Sequence, residues 1–177
     1  DMLELGVTPS EILRRAKDSN KPLDEFLRFL WQVGGYKDDP LQKKSALLSY
    51  ILVNRPERFL RPATGETLPP CIDYHLMRSA LRTGIVNVID PGLRLQVIDR
   101  RRMTDEDEYA IRSSVYEAIG MIADVSGVDM VSVDQLFFQM RRGCPEMSEP
   151  ECERCILETV CARDTQLFQP VIRTTYY

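Results

Sequence analysis

The stretch 144-CPEMSEPECERCILETVC-161 carries four of the five cysteines of the chain. Their spacing is C-x7-C-x2-C-x5-C, with a single tight pair at Cys152 and Cys155. Thiols this close in sequence would be strained as disulfides, and they are too many and too close together to be chance core residues. We therefore predict that Cys144, Cys152, Cys155 and Cys161 share one inorganic centre.

The spacing also indicates which centre this is. Structural zinc sites with four thiolates usually join two C-x2-C pairs across a dozen or more residues, whereas the second half here is a wide C-x5-C. A [4Fe–4S] cluster is a larger body, which a loop with one close pair and two wide gaps can surround. We predict a [4Fe–4S] cluster, with zinc, or free or disulfide-bonded cysteines, as the alternatives. The fifth cysteine, Cys71, lies far away and is interpreted as a small buried apolar residue.

The composition is that of a soluble globular protein, with 177 residues, 44% apolar and 28% charged. No apolar run approaches the roughly 18 residues of a membrane-spanning helix, and no segment resembles a signal peptide. Together with an oxygen-sensitive cluster, this predicts a cytoplasmic protein without a membrane partner. Because the net charge is −4, any contact with a phosphate backbone must be local.

Capping residues, first-turn prolines and apolar positions at helical spacing predict an all-α fold. Residues 55–70, with four prolines and a glycine, are predicted to be a loop that carries Arg55, Arg58 and Arg61. Residues 85–103 show no clear pattern beyond a predicted turn at 90–92 and a basic cluster at 100–102. The predicted helices, caps included, are 8–19, 22–33, 39–54, 72–84, 104–127 and 132–142, followed by an extended segment at 171–177.

The fourth predicted helix opens with 72-IDYH-75, which puts Asp73 at its N-cap. Arg78, Arg82 and Gly84 follow. With the cysteine run, this segment resembles the helix-hairpin-helix DNA glycosylase superfamily, in its endonuclease III-like branch, across about residues 69–161. That branch carries a C-x6-C-x2-C-x5-C loop, one residue shorter in its first gap, and an aspartate at the head of a helix.

The resemblance implies a helix-hairpin-helix-glycosylase-like helical domain with a C-terminal [4Fe–4S] loop. It also implies hydrolysis of the N-glycosidic bond of a damaged or modified base in nucleic acid, as in base excision, with Asp73 as the central carboxylate. A fixed carboxylate beside the anomeric carbon stabilises the positive charge that builds on the sugar ring. Arg78 and Arg82 are the expected phosphate contacts. The competing interpretations are that Asp73 only caps its helix and that the arginines are solvated.

The chain departs from this branch just before the aspartate helix. Where the branch has an L-P-G-V-G hairpin that holds DNA and supplies a lysine, residues 61–70 read RPATGETLPP. A lyase step through a lysine at that position is therefore not expected, so an active enzyme would be monofunctional. The cysteine loop also carries acidic residues where a loop that touches DNA should be basic. These are Glu146, Glu149, Glu151 and Glu153.

The segments 39-DPLQKK-44, 72-IDYH-75 and 108-EYAIRSS-114 are similar to the queuosine-nucleotide salvage glycohydrolases, which share the glycosylase scaffold. This weaker resemblance implies a free modified nucleotide as the substrate, with Lys43 and Lys44 among the substrate-binding residues. It needs no DNA-binding hairpin and suits an acidic protein, but it does not account for the cluster. A non-catalytic iron-sulfur scaffold is the third hypothesis.

The expected organisation is a helical domain at 1–143, a cluster loop at 144–161 and an extended tail at 162–177. Only 72 residues precede Asp73, too few for the complete helical barrel of the glycosylase fold, and the sequence begins at Asp1. We therefore expect the chain to be part of a longer protein. The missing part of the site would then come from upstream sequence or from a partner subunit.

Overall fold

The structure is a computed structural model that describes residue 2 and residues 5–177. The described residues form seven α-helices, one short 3₁₀ helix and an isolated bridge but no extended strand, which confirms the all-α class. None of the described helices is both long and apolar enough to cross a membrane. The helices are α1 (Pro9–Lys17), α2 (Pro22–Leu30), α3 (Lys43–Asn54), α4 (Tyr74–Thr83), α5 (Pro91–Ile98), α6 (Asp105–Ser126) and α7 (Met130–Met140).

The chain divides into two compact units. The N-terminal unit comprises Asp1–Cys71 with Thr174–Tyr177, and the cysteine unit comprises Ile72–Arg173. The predicted cluster loop and most of the predicted tail belong to the cysteine unit. Each unit has its own set of packed helices.

The N-terminal unit is built on α1 and α2, which pack through buried apolar side chains such as Ile12 and Phe26. Thr8 caps α1 as predicted, since its hydroxyl accepts a hydrogen bond from the Glu11 amide at 3.2 Å. The second helix ends at Leu30 rather than continuing to Val33, and the half-exposed Trp31 is its C-cap residue.

The third helix begins at Lys43 rather than near Asp39, so the predicted start is wrong. The Asp39 carboxylate accepts hydrogen bonds from the amides of Leu41 at 3.0 Å and Lys43 at 2.7 Å. Gln42 adopts a left-handed conformation with φ 52°. Asp39 therefore closes a turn of its own in front of the helix, because a short carboxylate bonds equally well to turn and helix amides.

The cysteine unit is organised around α4, which packs against both α6 and α7. Asp73 is its N-cap and Gly84 its left-handed C-cap, as predicted. Eight of its ten residues are buried, so α4 is the central helix of this unit. Both ends of α6 also follow the prediction, with Thr104 as the N-cap and Gly127 as the C-cap.

The segment 90–92 is a helix start and not the predicted turn. The Asp90 carboxylate accepts from the Leu93 amide at 2.7 Å, and Pro91 occupies the first turn of α5. The last helix, α7, likewise begins two residues earlier than predicted, because Asp129 caps it by accepting from the Ser132 amide at 3.0 Å. In the predicted extended tail, a parallel bridge joins Val171 to Arg102.

Gly84 is required by both its conformation and its surroundings. Its φ is 81°, and a Cβ added there would lie 2.8 Å from the Cβ of Ala162. Replacing Gly84 with alanine is expected to lower the free energy of unfolding by about 3 kcal/mol, from left-handed strain plus overpacking. Urea denaturation followed by circular dichroism measures the loss.

Gly127→Ala is the matched control, because φ there is 67° but nothing lies within 4 Å of the added Cβ. It should cost only about 1 kcal/mol. Adding Ala162→Gly to Gly84→Ala removes the close contact. The double variant should therefore recover the stability lost to overpacking and lose about as much as Gly127→Ala. Equal losses for Gly84→Ala and Gly127→Ala would show that the close approach is unimportant.

Candidate metal centre

The four cysteines of the C-terminal run lie around one cavity. Cys144, Cys152, Cys155 and Cys161 are all half-buried, none is in a disulfide, and all four line its wall. The cavity has a volume of about 30 Å³ and an almost entirely apolar wall. Residues that are separate in sequence thus face a shared space, and their binding of one inorganic centre stays a prediction.

The side chains that the cavity brings together are thiols, which both iron-sulfur clusters and structural zinc sites use as ligands. A zinc ion bound to sulfur at about 2.3 Å draws its ligands to within roughly 4 Å of one another. Among the residues that the structure describes, no three histidine, cysteine or acidic side chains approach closely enough to hold one metal ion. The [4Fe–4S] centre therefore stays a prediction, as does its zinc alternative.

The backbone of the loop is held in place by its own hydrogen bonds. The Cys144 amide donates to the Met140 carbonyl at 2.8 Å, which carries the end of α7 into the loop. The Glu151 amide donates to the Gly143 carbonyl at 2.8 Å, so the first gap of the motif closes on itself. A 3₁₀ helix over Cys152–Arg154 then presents the tight C-x2-C pair.

The side chain of Arg82, near the end of α4, reaches the start of the loop. Its Nη1 donates to the Pro145 carbonyl at 2.7 Å and lies 3.4 Å from the Cys144 sulfur. Its Nε donates to the Leu167 carbonyl at 2.8 Å. Arg82 is only 3% exposed, so these bonds are formed away from water and join the two sides of the loop.

The backbone of α4 holds the other end of the loop. The carbonyl of Arg82 accepts from the Asp164 amide, and that of Thr83 accepts from the Ala162 amide, both at 3.0 Å. These are among the last carbonyls of the helix, which have no partner within the helix itself. The residues that directly follow the cysteine loop therefore provide two of the C-terminal hydrogen bonds of α4.

Two N–H groups point at cysteine sulfurs. Besides the Arg82 guanidinium at Cys144, the Arg163 amide donates to the Cys161 sulfur at 3.3 Å. The Cys161 thiol in turn donates to the Arg82 carbonyl, at 3.6 Å. The donor set of four thiols is suited to an iron-sulfur centre.

Asp73 lies at the opposite end of the same helix. Its Oδ1 accepts from the amides of His75 at 2.9 Å and Leu76 at 3.2 Å, and the residue is 7% exposed. Since α4 has ten residues, this carboxylate is separated from the cysteine end by about 15 Å of helix. The geometry is that of an N-cap, and the predicted catalytic role stays a prediction.

His75, the only histidine, belongs to a compact cluster next to Asp73. Its ring lies 4.0 Å from the Tyr74 ring and 5.9 Å from the Phe138 ring, measured between centroids. Burial lowers the pKa of His75, while the Asp73 carboxylate raises it and the Arg78 guanidinium lowers it again. The neutral imidazole is favoured, and its Nδ1 lies 3.2 Å from Nη2 of Arg78, which acts as the donor.

The predicted substrate-binding residues are divided between the two units. Arg78 and Arg82 belong to the cysteine unit, where both are almost completely buried, whereas Lys43 and Lys44 begin α3 in the N-terminal unit. Nη1 of Arg78 donates to Oε1 of Gln169 at 3.1 Å. The Lys44 ammonium donates to the Thr175 carbonyl. Substrate binding by these four side chains stays a prediction, but the two arginines already have protein partners.

Sequence reasoning missed Phe168, which takes part in the attachment of the loop. The guanidinium carbon of Arg82 lies 5.0 Å from the centroid of its ring, and that of Arg100 lies 3.5 Å from it. The sequence signals only that Arg100 belongs to a basic cluster. Nothing in it indicates that a phenylalanine of the predicted extended tail contacts two arginines.

Comparison with protein-family models, with curated proteins and with solved structures gave no significant match to this chain.

Arg82→Met should lower the free energy of unfolding by about 3 kcal/mol, because it leaves the buried Leu167 carbonyl and the half-buried Pro145 carbonyl without their donor. The measurement is urea denaturation of the protein as purified. Arg101→Met is the control, since Arg101 pairs with Asp99 at 2.6 Å through a side chain that is 63% exposed. That change should cost about 0.5 kcal/mol or less. Similar losses in both variants would contradict the role assigned to Arg82.

Proposed function

We propose that this chain is an iron-sulfur N-glycosylase of the helix-hairpin-helix type, which hydrolyses the bond between a damaged or modified base and its sugar. Four thiolates, from Cys144, Cys152, Cys155 and Cys161, would hold a [4Fe–4S] cluster that stabilises the fold. The observation that carries the proposal is that one buried helix, α4, has the acidic cap Asp73 at its head and the cysteine loop at its end.

This arrangement supports a structural role for the cluster. A centre with four thiolate ligands has no open position for substrate, and its binding energy contributes to folding. Because Ala162 and Asp164, directly after the loop, bond to the carbonyls of Thr83 and Arg82, fixing the loop also restricts the position of α4. The expected benefit to catalysis is a rigid carboxylate at the other end of that helix.

The chemistry requires few groups from the protein. The bond between the anomeric carbon and the base nitrogen breaks, a water oxygen bonds to that carbon, and the base leaves with a proton. Positive charge develops on the sugar ring in the transition state, so a fixed carboxylate nearby lowers the barrier. Asp73 is the group proposed for this role, and its two bonds to α4 amides restrict its position.

A free modified nucleotide is the second candidate substrate, and the charge distribution favours it. The cysteine unit contains 17 acidic and 12 basic side chains, a net charge of −5. Such a surface repels a long phosphate backbone more strongly than the one phosphate of a nucleotide. The lack of a lysine and of a G-x-G hairpin in 61–70 is consistent with either substrate when no lyase step occurs.

Anaerobically purified protein should be brown and contain about four iron and four sulfide ions per chain. Serine in place of Cys144, Cys152, Cys155 or Cys161 should remove most of the visible absorption, because each substitution deletes one ligand. Cys71→Ser is the control. This cysteine belongs to the N-terminal unit, where it is buried with its sulfur 3.5 Å from the Lys43 carbonyl, and the colour should remain. Colourless protein that contains zinc would disprove the cluster.

Asp73→Asn should reduce base release by at least about 100-fold, because the charge that stabilises the transition state is lost. Stability should stay within about 0.5 kcal/mol, since asparagine caps helices as well as aspartate does. The assay is mass spectrometry of free bases released from chemically deaminated or oxidised DNA and, in parallel, from modified mononucleotides.

Asp129→Asn is the matched variant, since it changes the cap of α7 in the same way and should leave base release intact. Release from DNA alone supports the first substrate class, and release from mononucleotides alone supports the second. Full activity in Asp73→Asn would show that Asp73 only caps its helix. Folded protein with its cluster but without either activity would favour the scaffold hypothesis.

A further inference from the structure

The segment 55–61, which we call the arginine loop, is an exposed surface feature of the N-terminal unit. It reads RPERFLR, and every residue in it except Leu60 is exposed. Leu60 is fully buried and packs in the same core cluster as Ile12 and Phe26. Its amide donates to the Leu52 carbonyl at 3.4 Å. A core anchor thus fixes the loop while its neighbours in sequence remain at the surface.

The chain after the arginine loop is fixed as well. The Glu66 carboxylate accepts from the Ala63 amide at 2.7 Å. The same carboxylate accepts from the amides of Leu23 at 3.2 Å and Asp24 at 2.9 Å, and so takes the place of a side-chain N-cap that α2 lacks. The arginine loop is therefore a preformed surface whose binding would require little ordering.

The three arginines of the arginine loop differ in whether they have an acidic partner. Arg55 pairs with Glu57 at 3.3 Å. Arg58 and Arg61 make no ion pair or side-chain hydrogen bond with any residue that the structure describes. Arg58 also has a left-handed backbone, with φ 46°. Two exposed guanidinium groups that have no acidic partner among the described residues are therefore available to an anion.

An aromatic ring stands between these two arginines in the sequence. Phe59 is 36% exposed although its chain neighbour Leu60 is fully buried. An exposed ring next to cations suits a ligand that has both a flat face and negative charge. An unpaired nucleotide has both, because its base stacks on aromatic rings and its phosphate binds arginine.

We propose that Arg58, Phe59 and Arg61 form a contact surface for single-stranded nucleic acid, with the two arginines on phosphates and Phe59 stacked on an unpaired base. This inference rests on the proposed function only for the choice of nucleic acid as the substrate class. Charge supports the location, since the N-terminal unit contains all five lysines and has a net charge of +1, in contrast to the acidic cysteine unit. The loop supplies a local contact in an acidic protein.

The test is fluorescence anisotropy of a labelled single-stranded oligonucleotide of mixed sequence, titrated with the full chain over a range of salt concentrations. Wild-type protein should bind at low salt, and more tightly than it binds the matching duplex, whose bases are paired. Arg58→Gln with Arg61→Gln should flatten the slope of log affinity against log salt by about 1.4, as expected for two lost phosphate contacts on a single strand. Phe59→Leu should weaken binding about tenfold without changing that slope.

Arg14→Gln with Arg15→Gln is the control, because it removes the same charge from exposed arginines of the same unit that already pair with Glu11. This variant should keep the wild-type slope. The thermal transition of every variant should match that of wild type, since all the substituted side chains are exposed or half-exposed.

Four results would overturn the proposal: no binding by wild type at low salt, equal effects of the two arginine pairs, duplex binding at least as tight as single-strand binding, or an unchanged affinity in Phe59→Leu. Failure of this proposal can be distinguished from failure of the proposed function. Binding that depends on the loop can persist in Asp73→Asn, and it can persist in a protein that releases no base. Base release from mononucleotides with no oligonucleotide binding would overturn this inference alone.

Discussion

The hydrogen bonds between the last turn of α4 and the cysteine loop are the constraint on which the cysteine unit depends. The loop has little regular structure beyond its short 3₁₀ helix, so its conformation must be set by something else. Arg82 supplies side-chain bonds to Pro145 and Leu167, and backbone carbonyls of α4 receive the amides of Ala162 and Asp164. Because the guanidinium is buried, losing it would expose unpaired polar groups to an apolar interior.

This attachment also gives the aspartate at the other end of α4 a defined environment. Residues 76–83 of the helix are buried, so α4 can shift only if its packing against α6 and α7 changes as well. A carboxylate at the head of such a helix is held more rigidly than one on a surface loop. The catalytic proposal and the cluster proposal are therefore mechanically linked, although each can fail without the other.

Much of the fold could be predicted because its signals are local. Thr8, Asp73 and Thr104 cap their helices as predicted, and Gly84 and Gly127 end theirs, since a capping bond and a positive φ depend on a few adjacent residues. The start of α3 and the whole of α5 were not predicted, because an aspartate followed by proline can open either a turn or a helix.

The site was less accessible to sequence reasoning. The spacing of the cysteines predicted that they would share a centre, and they line one cavity. The role of Arg82 and that of Phe168 depend on contacts between residues more than 60 positions apart, for which a single sequence carries no signal. Burial of Arg78 and Arg82 was likewise unexpected, because arginine is rarely buried unless its donors are satisfied.

The division of the chain into two compact units has a practical consequence for spectroscopy. The single tryptophan, Trp31, is half-exposed and belongs to the N-terminal unit, and the cysteine unit has none. Intrinsic emission excited at the indole band therefore reports on one unit, whereas any charge-transfer absorption from sulfur to iron would report on the other. With a cluster bound, the two units would carry separate optical signals, and the unfolding of each could be followed in one unmodified sample.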